Sequence, residues 1–201
     1  MFDNRIQAAI RPLMNRIAHR LVRWGVGADA ISVAGFVVGM AAALAIALQH
    51  EGVGLVLLLL SRLMDGLDGA VARASQPTDR GGFLDITLDF LFYAAIPLAF
   101  AVAHPAQNAL PAAVLLAAFI GTGSSFLAFA VVAEKRQLTS LAFPGKSFYF
   151  LGGLTEATET IAAFVAMCLW PQWFAPIAYG FALLCAITTV LRIRWGWQRL
   201  G

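Results

Sequence analysis

Six long apolar stretches divide this chain, at residues 30–48, 54–74, 82–103, 109–132, 147–169 and 174–193. Each is near the length of roughly 20 residues that a transmembrane helix needs. The breaks between them carry turn and polar residues: Gln49-His50-Glu51-Gly52, Ser75-Gln76-Pro77-Thr78, His104-Pro105, Pro144-Gly145 and Pro171-Gln172. Ahead of them, Ile6, Ile10, Leu13, Met14, Ile17 and Leu21 recur at helical spacing, with Arg5, Arg11, Arg16, Arg20 and Arg23 largely between. That pattern fits an amphipathic helix on a membrane surface, its arginines toward anionic head groups. A plain basic anchor for the first span is the other reading. A cleavable signal peptide is excluded, because its basic start and apolar core would both be short. The pattern predicts an all-α integral membrane protein with one domain over 1–201. An interfacial helix at 1–23 precedes a six-helix bundle over 30–193.

Composition agrees. The 201 residues are 60% hydrophobic and 12% charged, against about 25% charged in a soluble domain; mean hydropathy is +0.78. Basic residues set the orientation. Beyond the five N-terminal arginines, Arg73 and Arg80 flank the second connection, and Lys135, Arg136 and Lys146 the fourth. Arg192, Arg194 and Arg199 close the chain, and the other three connections hold no Lys or Arg. Both termini and the second connection are therefore expected on the cytoplasmic side of an inner membrane. The net charge of +3 reflects this asymmetry and implies no nucleic acid. Trp170, Trp173, Trp195 and Trp197 read as interfacial belt residues, and Cys168 and Cys185 as buried small hydrophobes.

Four of the eleven acidic residues, Asp65, Asp68, Asp85 and Asp89, fall in or beside apolar spans. Carboxylates are costly there and point to function. Asp65 and Asp68 are three apart, and Asp85 and Asp89 four apart, so each pair shares a helix face. The short connection between them makes the two helices antiparallel neighbours and brings the four carboxylates to one depth. One or two divalent cations would relieve their repulsion. Oxygen-only donors suit Mg²⁺ or Mn²⁺, and no His or Cys is present for zinc. Mg²⁺ commonly binds through carboxylates together with substrate phosphates, so a phosphate-bearing substrate is implied. Gly66, Gly69, Gly81 and Gly82 leave room for a bulky ligand, and Arg73 offers a cation for phosphate.

The pattern Asp65-x2-Asp68-Gly69-x2-Ala72-Arg73-x7-Gly81-x3-Asp85-x3-Asp89 resembles the motif of the CDP-alcohol phosphatidyltransferases at every fixed position. The six-span layout and amphipathic N-terminus are similar to that family too. The chain differs in the first span, where Ala28-Asp29-Ala30-Ile31-Ser32 stands in place of a Pro-Asn-x-Leu-Thr-like segment. The resemblance implies release of CMP from a CDP-linked donor by the hydroxyl of an alcohol acceptor, in phospholipid biosynthesis. CDP-diacylglycerol is the expected donor. It implies a two-metal centre of Mg²⁺ or Mn²⁺ on Asp65, Asp68, Asp85 and Asp89, with Asp89 also taking the proton of the attacking hydroxyl. It further implies a nucleotide site at Asp65, Asp68, Gly69, Ala72, Arg73 and Gly81, and a homodimer.

Two alternatives stand beside this reading: a CDP-amino alcohol donor with diacylglycerol as acceptor, and a cation-coupled transporter. Arg62 reads as a structural partner of an Asp one turn away. Lys146, Ser147, Glu156 and Glu159 make a candidate acceptor pocket, Glu156 and Glu159 being expected to point into the bundle after Gly152-Gly153. The other reading is a buried polar network with Gly123-Ser124-Ser125. Lys135, Arg136, Lys146 and Arg80 are candidates for a phosphorylated acceptor or mere positive-inside charges, and the sequence leaves the acceptor open.

Overall fold

The computed structural model describes residues 3–136 and 154–200, and all their regular structure is helical. The order is α1 (Asp3–Arg23), α2 (Ala28–Ala47), α3 (Glu51–Ala74), α4 (Asp79–Ala103), α5 (Pro105–Lys135), α6 (Ala157–Leu169) and α7 (Phe174–Leu200). A 3₁₀ turn, Pro171–Trp173, joins the last two.

The buried residues of α2 are Ile31, Gly35, Gly39, Ala42, Ala43 and Ile46. Their spacing forms one stripe of mostly small side chains, which lets neighbouring backbones approach closely. Ser61 of α3 uses that closeness to donate to the Gly35 carbonyl at 2.8 Å. The α2–α3 reversal passes through Gln49, whose φ is +62°, and Gln49 Nε2 reaches the Ala103 carbonyl at 3.3 Å. The central core gathers Ile46, Leu58, Phe92, Ile96, Phe100, Leu115, Phe164, Met167 and Phe174. Phe100 stacks on Phe174 with centroids 4.7 Å apart, while Phe92 and Phe119 meet Phe164 edge-on. Farther along, α5 and α7 are tied by Arg192 Nη1 donating to the Thr122 carbonyl at 2.9 Å. Thr155 and Thr188 bond at 3.0 Å inside the bundle. The two cysteines are free and buried.

Helix α1 lies against α3. Met14, Ala18, Leu21 and Val22 pack with Leu67, Ala70, Val71 and Ala74, while Leu13 and Ile17 remain exposed. The apolar face read from the sequence is thus divided between the bundle and its surroundings; Ile6 and Ile10 lie outside the described side chains.

Among the described residues, four helical segments are long and apolar enough to cross a membrane: Ala28–Ala47, Asp79–Ala103, Pro105–Lys135 and Pro171–Leu200. Helix α3 has the length, 24 residues, but carries Arg62, Asp65, Asp68 and Arg73. The expected fifth span, 147–169, needs correcting: its helix starts at Ala157 and runs 13 residues, because Glu156 is an extended N-cap. Residues 147–153, with Ser147, Gly152 and Gly153, lie outside the described residues, as do Lys146 and the Pro144-Gly145 break. The other helices begin or end a few residues beyond the expected limits, α7 continuing to Leu200 rather than stopping near 193.

Candidate metal centre

Thr78 opens α4 as an extended N-cap whose hydroxyl accepts the Gly81 N–H at 3.0 Å. This places the first turns of α4, with Asp85 and Asp89, beside the last turns of α3, with Asp65 and Asp68. One carboxylate oxygen from each of Asp65, Asp68 and Asp85 lies within 4.8 Å of the others. Asp68 is buried, Asp65 half-buried and Asp85 exposed, so the cluster runs from the helix interface outward. A shallow cleft holds them, lined also by Ser32, Gly35 and Phe36 from α2, Ser61 and Arg62 from α3, and Leu88 and Asp89 from α4.

The fourth carboxylate is held differently. Asp89 Oδ1 accepts from Arg62 Nη1 at 2.6 Å, and the same nitrogen is 3.5 Å from Asp65 Oδ1. The Arg62 side chain is 10% exposed. Its guanidinium carbon sits 3.9 Å over the Phe92 ring, and Nη2 donates to Ser61 Oγ at 3.2 Å. The sequence pairs Arg62 with an aspartate on its own helix, whereas its nearer partner is Asp89, across on α4.

Two more links were missed. Ser32 of α2 donates to Asp68 Oδ2 at 2.5 Å. At the rim, Arg80 Nη2 and Nε reach Asp29 Oδ2 at 2.6 and 3.0 Å. A Cβ on Gly81 would lie 3.1 Å from Asp29 Oδ1, so Gly81 is crowded by that pair. Gly66 and Gly82 face open space, whereas Gly69 lies under the Arg73 guanidinium, with Nη1 3.2 Å from where a Cβ would be. Ala72 is half-buried on the same stretch of α3. The segment 28–32, where the motif resemblance is weakest, thus supplies a direct partner to an aspartate of the cluster through Ser32.

Glu156 and Glu159 stand apart from this cleft. Glu156 is the N-cap of α6; its side chain accepts the Glu159 N–H, and Glu159 Oε2 accepts the Glu156 N–H at 3.1 Å, a reciprocal capping box. Both are half-buried. That arrangement caps the N-terminal end of α6.

The donor set fits a hard divalent cation. Three carboxylates bring oxygen donors from two helices within a span that one or two ions can bridge, and no His or Cys contributes to the cluster among the described residues. Such a centre beside a basic side chain can hold a phosphate ester and organise its displacement.

Residues 26–191 match the family model for CDP-alcohol phosphatidyltransferase. The inner membrane protein YnjF of Escherichia coli is 50% identical over 200 residues, spanning 100% of this chain and 97% of that protein. The archaetidylinositol phosphate synthase of Methanothermobacter thermautotrophicus is 43% identical over 89 residues, 44% of either chain. Among solved structures, the phosphatidylinositol phosphate synthase of Mycobacterium tuberculosis with CDP-DAG bound has a TM-score of 0.70 at 22% identity, covering 92% of this chain and 94% of that one. The same enzyme in complex with manganese and citrate also gives 0.70 at 22% identity, covering 92% and 88%.

Proposed function

The chain belongs to the CDP-alcohol phosphatidyltransferase family, and from that premise we propose that it transfers a phosphatidyl group from CDP-diacylglycerol to an alcohol, releasing CMP. The observation that carries this is the convergence of Asp65, Asp68 and Asp85, with oxygens within 4.8 Å, in a cleft that also contains Asp89. Family enzymes of this kind are phospholipid-making transferases of the membrane. The CDP-DAG in the related solved structure supports the choice of donor. Inositol phosphate leads the list of acceptors, supported by the names of the partly matching archaeal enzymes.

Asp65, Asp68 and Asp85 would hold the cation, Mg²⁺ or Mn²⁺, with Asp89 completing a pair of sites, and the metal would supply charge neutralisation for the diphosphate and the departing CMP. Gly69, Ala72, Gly81 and Arg73 would line the cytidine diphosphate pocket, the small Gly69 and Ala72 letting a flat base pack close to α3 and Arg73 supplying a cation for phosphate. The acceptor oxygen attacks the phosphatidyl phosphorus, the phosphorus–oxygen bond to CMP breaks, and Asp89 Oδ2 takes the hydroxyl proton. Arg62 occupies the other oxygen of that carboxylate, Oδ1.

The bundle crosses the membrane six times, with α3 and α6 joining the four apolar segments. α1 lies along the inner surface, its exposed Leu13 and Ile17 toward lipid. Both termini and the metal cleft face the cytoplasm by the placement of Lys and Arg. The enzyme works as a homodimer in the inner membrane.

The test uses purified protein, Mg²⁺ or Mn²⁺ and radiolabelled CDP-diacylglycerol, with glycerol, glycerol 3-phosphate, serine, inositol and inositol phosphate in turn. CMP released with one acceptor establishes the reaction and names the lipid. Silence with a CDP-amino alcohol donor still active would transfer the reading to the reversed pairing of substrates. Absence of CMP release and of nucleotide binding would leave a cation-coupled transporter.

A further inference from the structure

An arginine sealed in the membrane part of a helix bundle is expensive unless several groups compensate it. Arg62 has them on three sides: Asp89 at 2.6 Å, Asp65 at 3.5 Å and the Phe92 face at 3.9 Å. Its Nε is nevertheless buried with no hydrogen-bond partner among the described residues. A side chain placed only to neutralise the helix interface would be expected to satisfy that donor. The geometry instead spends the guanidinium on one oxygen of Asp89, the carboxylate left outside the three-oxygen cluster.

We propose that Arg62 is a positioning residue for Asp89, a resident cation that holds one oxygen of this carboxylate and so fixes the direction in which its other oxygen meets the cleft. Packing makes the hold rigid. Phe92 is fully buried under the guanidinium, and Ser61, which bonds Arg62 Nη2, is itself pinned to the Gly35 carbonyl. Arg62 thereby sets two quantities in opposition. Its charge beside Asp65 and Asp89 weakens the binding of a divalent cation by repulsion, and its bond fixes the orientation of Asp89 on which transfer depends.

This rests on reading the cluster as the metal centre of a transferase, so the test reads metal and turnover separately. Mn²⁺ binding to the purified chain is titrated by electron paramagnetic resonance with neither donor nor acceptor present, and kcat is then measured with CDP-diacylglycerol and the active acceptor. Arg62→Met should bind Mn²⁺ about tenfold more tightly and lose at least about tenfold in kcat, with little change in donor KM. Arg62→Lys, which keeps the charge, should hold Mn²⁺ affinity near that of the unmodified chain and recover part of kcat. A merely structural arginine would do the reverse, since a loosened site binds metal more weakly. Should Arg62→Met fail to fold, Arg62→Gln keeps a planar hydrogen-bonding head without the charge and gives the same reading. Unchanged or weaker Mn²⁺ binding in a folded, uncharged variant overturns the proposal. Absence of Mn²⁺ binding to the unmodified chain would overturn the metal-centre reading with it, whereas a wrong acceptor would leave the binding result standing.

Discussion

Gly39 of α2 faces the ring of Phe92 on α4 so closely that a Cβ there would lie 2.6 Å from Phe92 Cδ2 and 2.9 Å from Ser61 Oγ. Neither neighbour has room to retreat. Phe92 is fully buried and carries Arg62 on its face, and Ser61 bonds the Gly35 carbonyl. Gly39→Ala therefore overpacks the point where α2, α3 and α4 meet. The expected cost is about 1–3 kcal/mol, read as a lower Tm in detergent, and the shift of Phe92 should lower transferase activity too. Gly27→Ala is the control, because a Cβ there meets nothing within 4 Å.

The carboxylates should separate by role. Asp65→Asn and Asp85→Asn are each expected to abolish Mn²⁺ binding and CMP release together, since each removes one of three converging donors. Chelation of the metal from the unmodified chain should mimic both, with activity restored by added Mg²⁺ or Mn²⁺. Asp89→Asn is expected to keep most nucleotide binding while stopping transfer. Near-normal rates in Asp89→Asn, measured by CMP release at saturating acceptor, would remove Asp89 from the role of base.

Ser32 reaches the cluster from α2 by donating to Asp68 Oδ2. A hydrogen bond to a metal-binding carboxylate fixes its orientation, and losing such a bond commonly costs about 10–100-fold in metal affinity or activity. Ser32→Ala should show a loss of that order in the metal concentration needed for half-maximal rate. Ser32→Thr, which keeps the hydroxyl, should retain most of the affinity. Titration of activity against Mn²⁺ in the three proteins checks this.

What was legible in the sequence was whatever depends on one helix at a time. Asp65 with Asp68, and Asp85 with Asp89, share faces because their spacing is three and four, and the short, Thr78-capped connection makes their helices antiparallel neighbours. The links across helices were not legible. Ser32 and Asp68 are 36 residues apart, and Arg62 and Asp89 27 apart. Both depend on the rotation and depth of α2 and α4 against α3, which close contacts such as Gly39 on Phe92 set. Helical spacing pairs Arg62 with an aspartate one turn away, yet helix packing puts the Asp89 oxygen, at 2.6 Å, closer than that of Asp65, at 3.5 Å. The division of α1, with Ala18 buried and Ile17 exposed, has the same cause: the docking of one helix on another is invisible to the periodicity of either.

Arg80 and Asp29 join the first turns of α4 and α2 at the rim of the cleft, where the Arg80 side chain is 84% exposed. An exposed pair of this kind contributes between about 0 and 1 kcal/mol and is screened by salt. Arg80→Ala should therefore leave Tm nearly unchanged. Any larger effect should fall on KM for the donor, because Gly81 lies against Asp29 and would feel its release. A parallel measurement of Tm and donor KM at low and high salt distinguishes the two effects.

The glutamates of α6 give the sharpest check on what was read as an acceptor pocket. The Glu-x-x-Glu spacing of 156 and 159 suggested two carboxylates turned into the bundle; the structure uses it for a capping box, each side chain accepting the other's backbone N–H. The distinction matters because α6 runs only 13 residues, and a helix that short depends on its ends. A reciprocal cap satisfies two of its otherwise unpaired donors. Loss of the Glu159 carboxylate in Glu159→Ala should cost about 0.5–2 kcal/mol and lower Tm. Glu159→Gln keeps an acceptor oxygen and should be nearly neutral. If the pair instead binds acceptor, both variants should raise acceptor KM while Tm stays fixed, and Glu156→Gln should lower acceptor turnover with donor binding intact. Acceptor KM and Tm measured on the same three preparations decide between a cap and a pocket, since a cap moves Tm alone and a pocket moves KM alone.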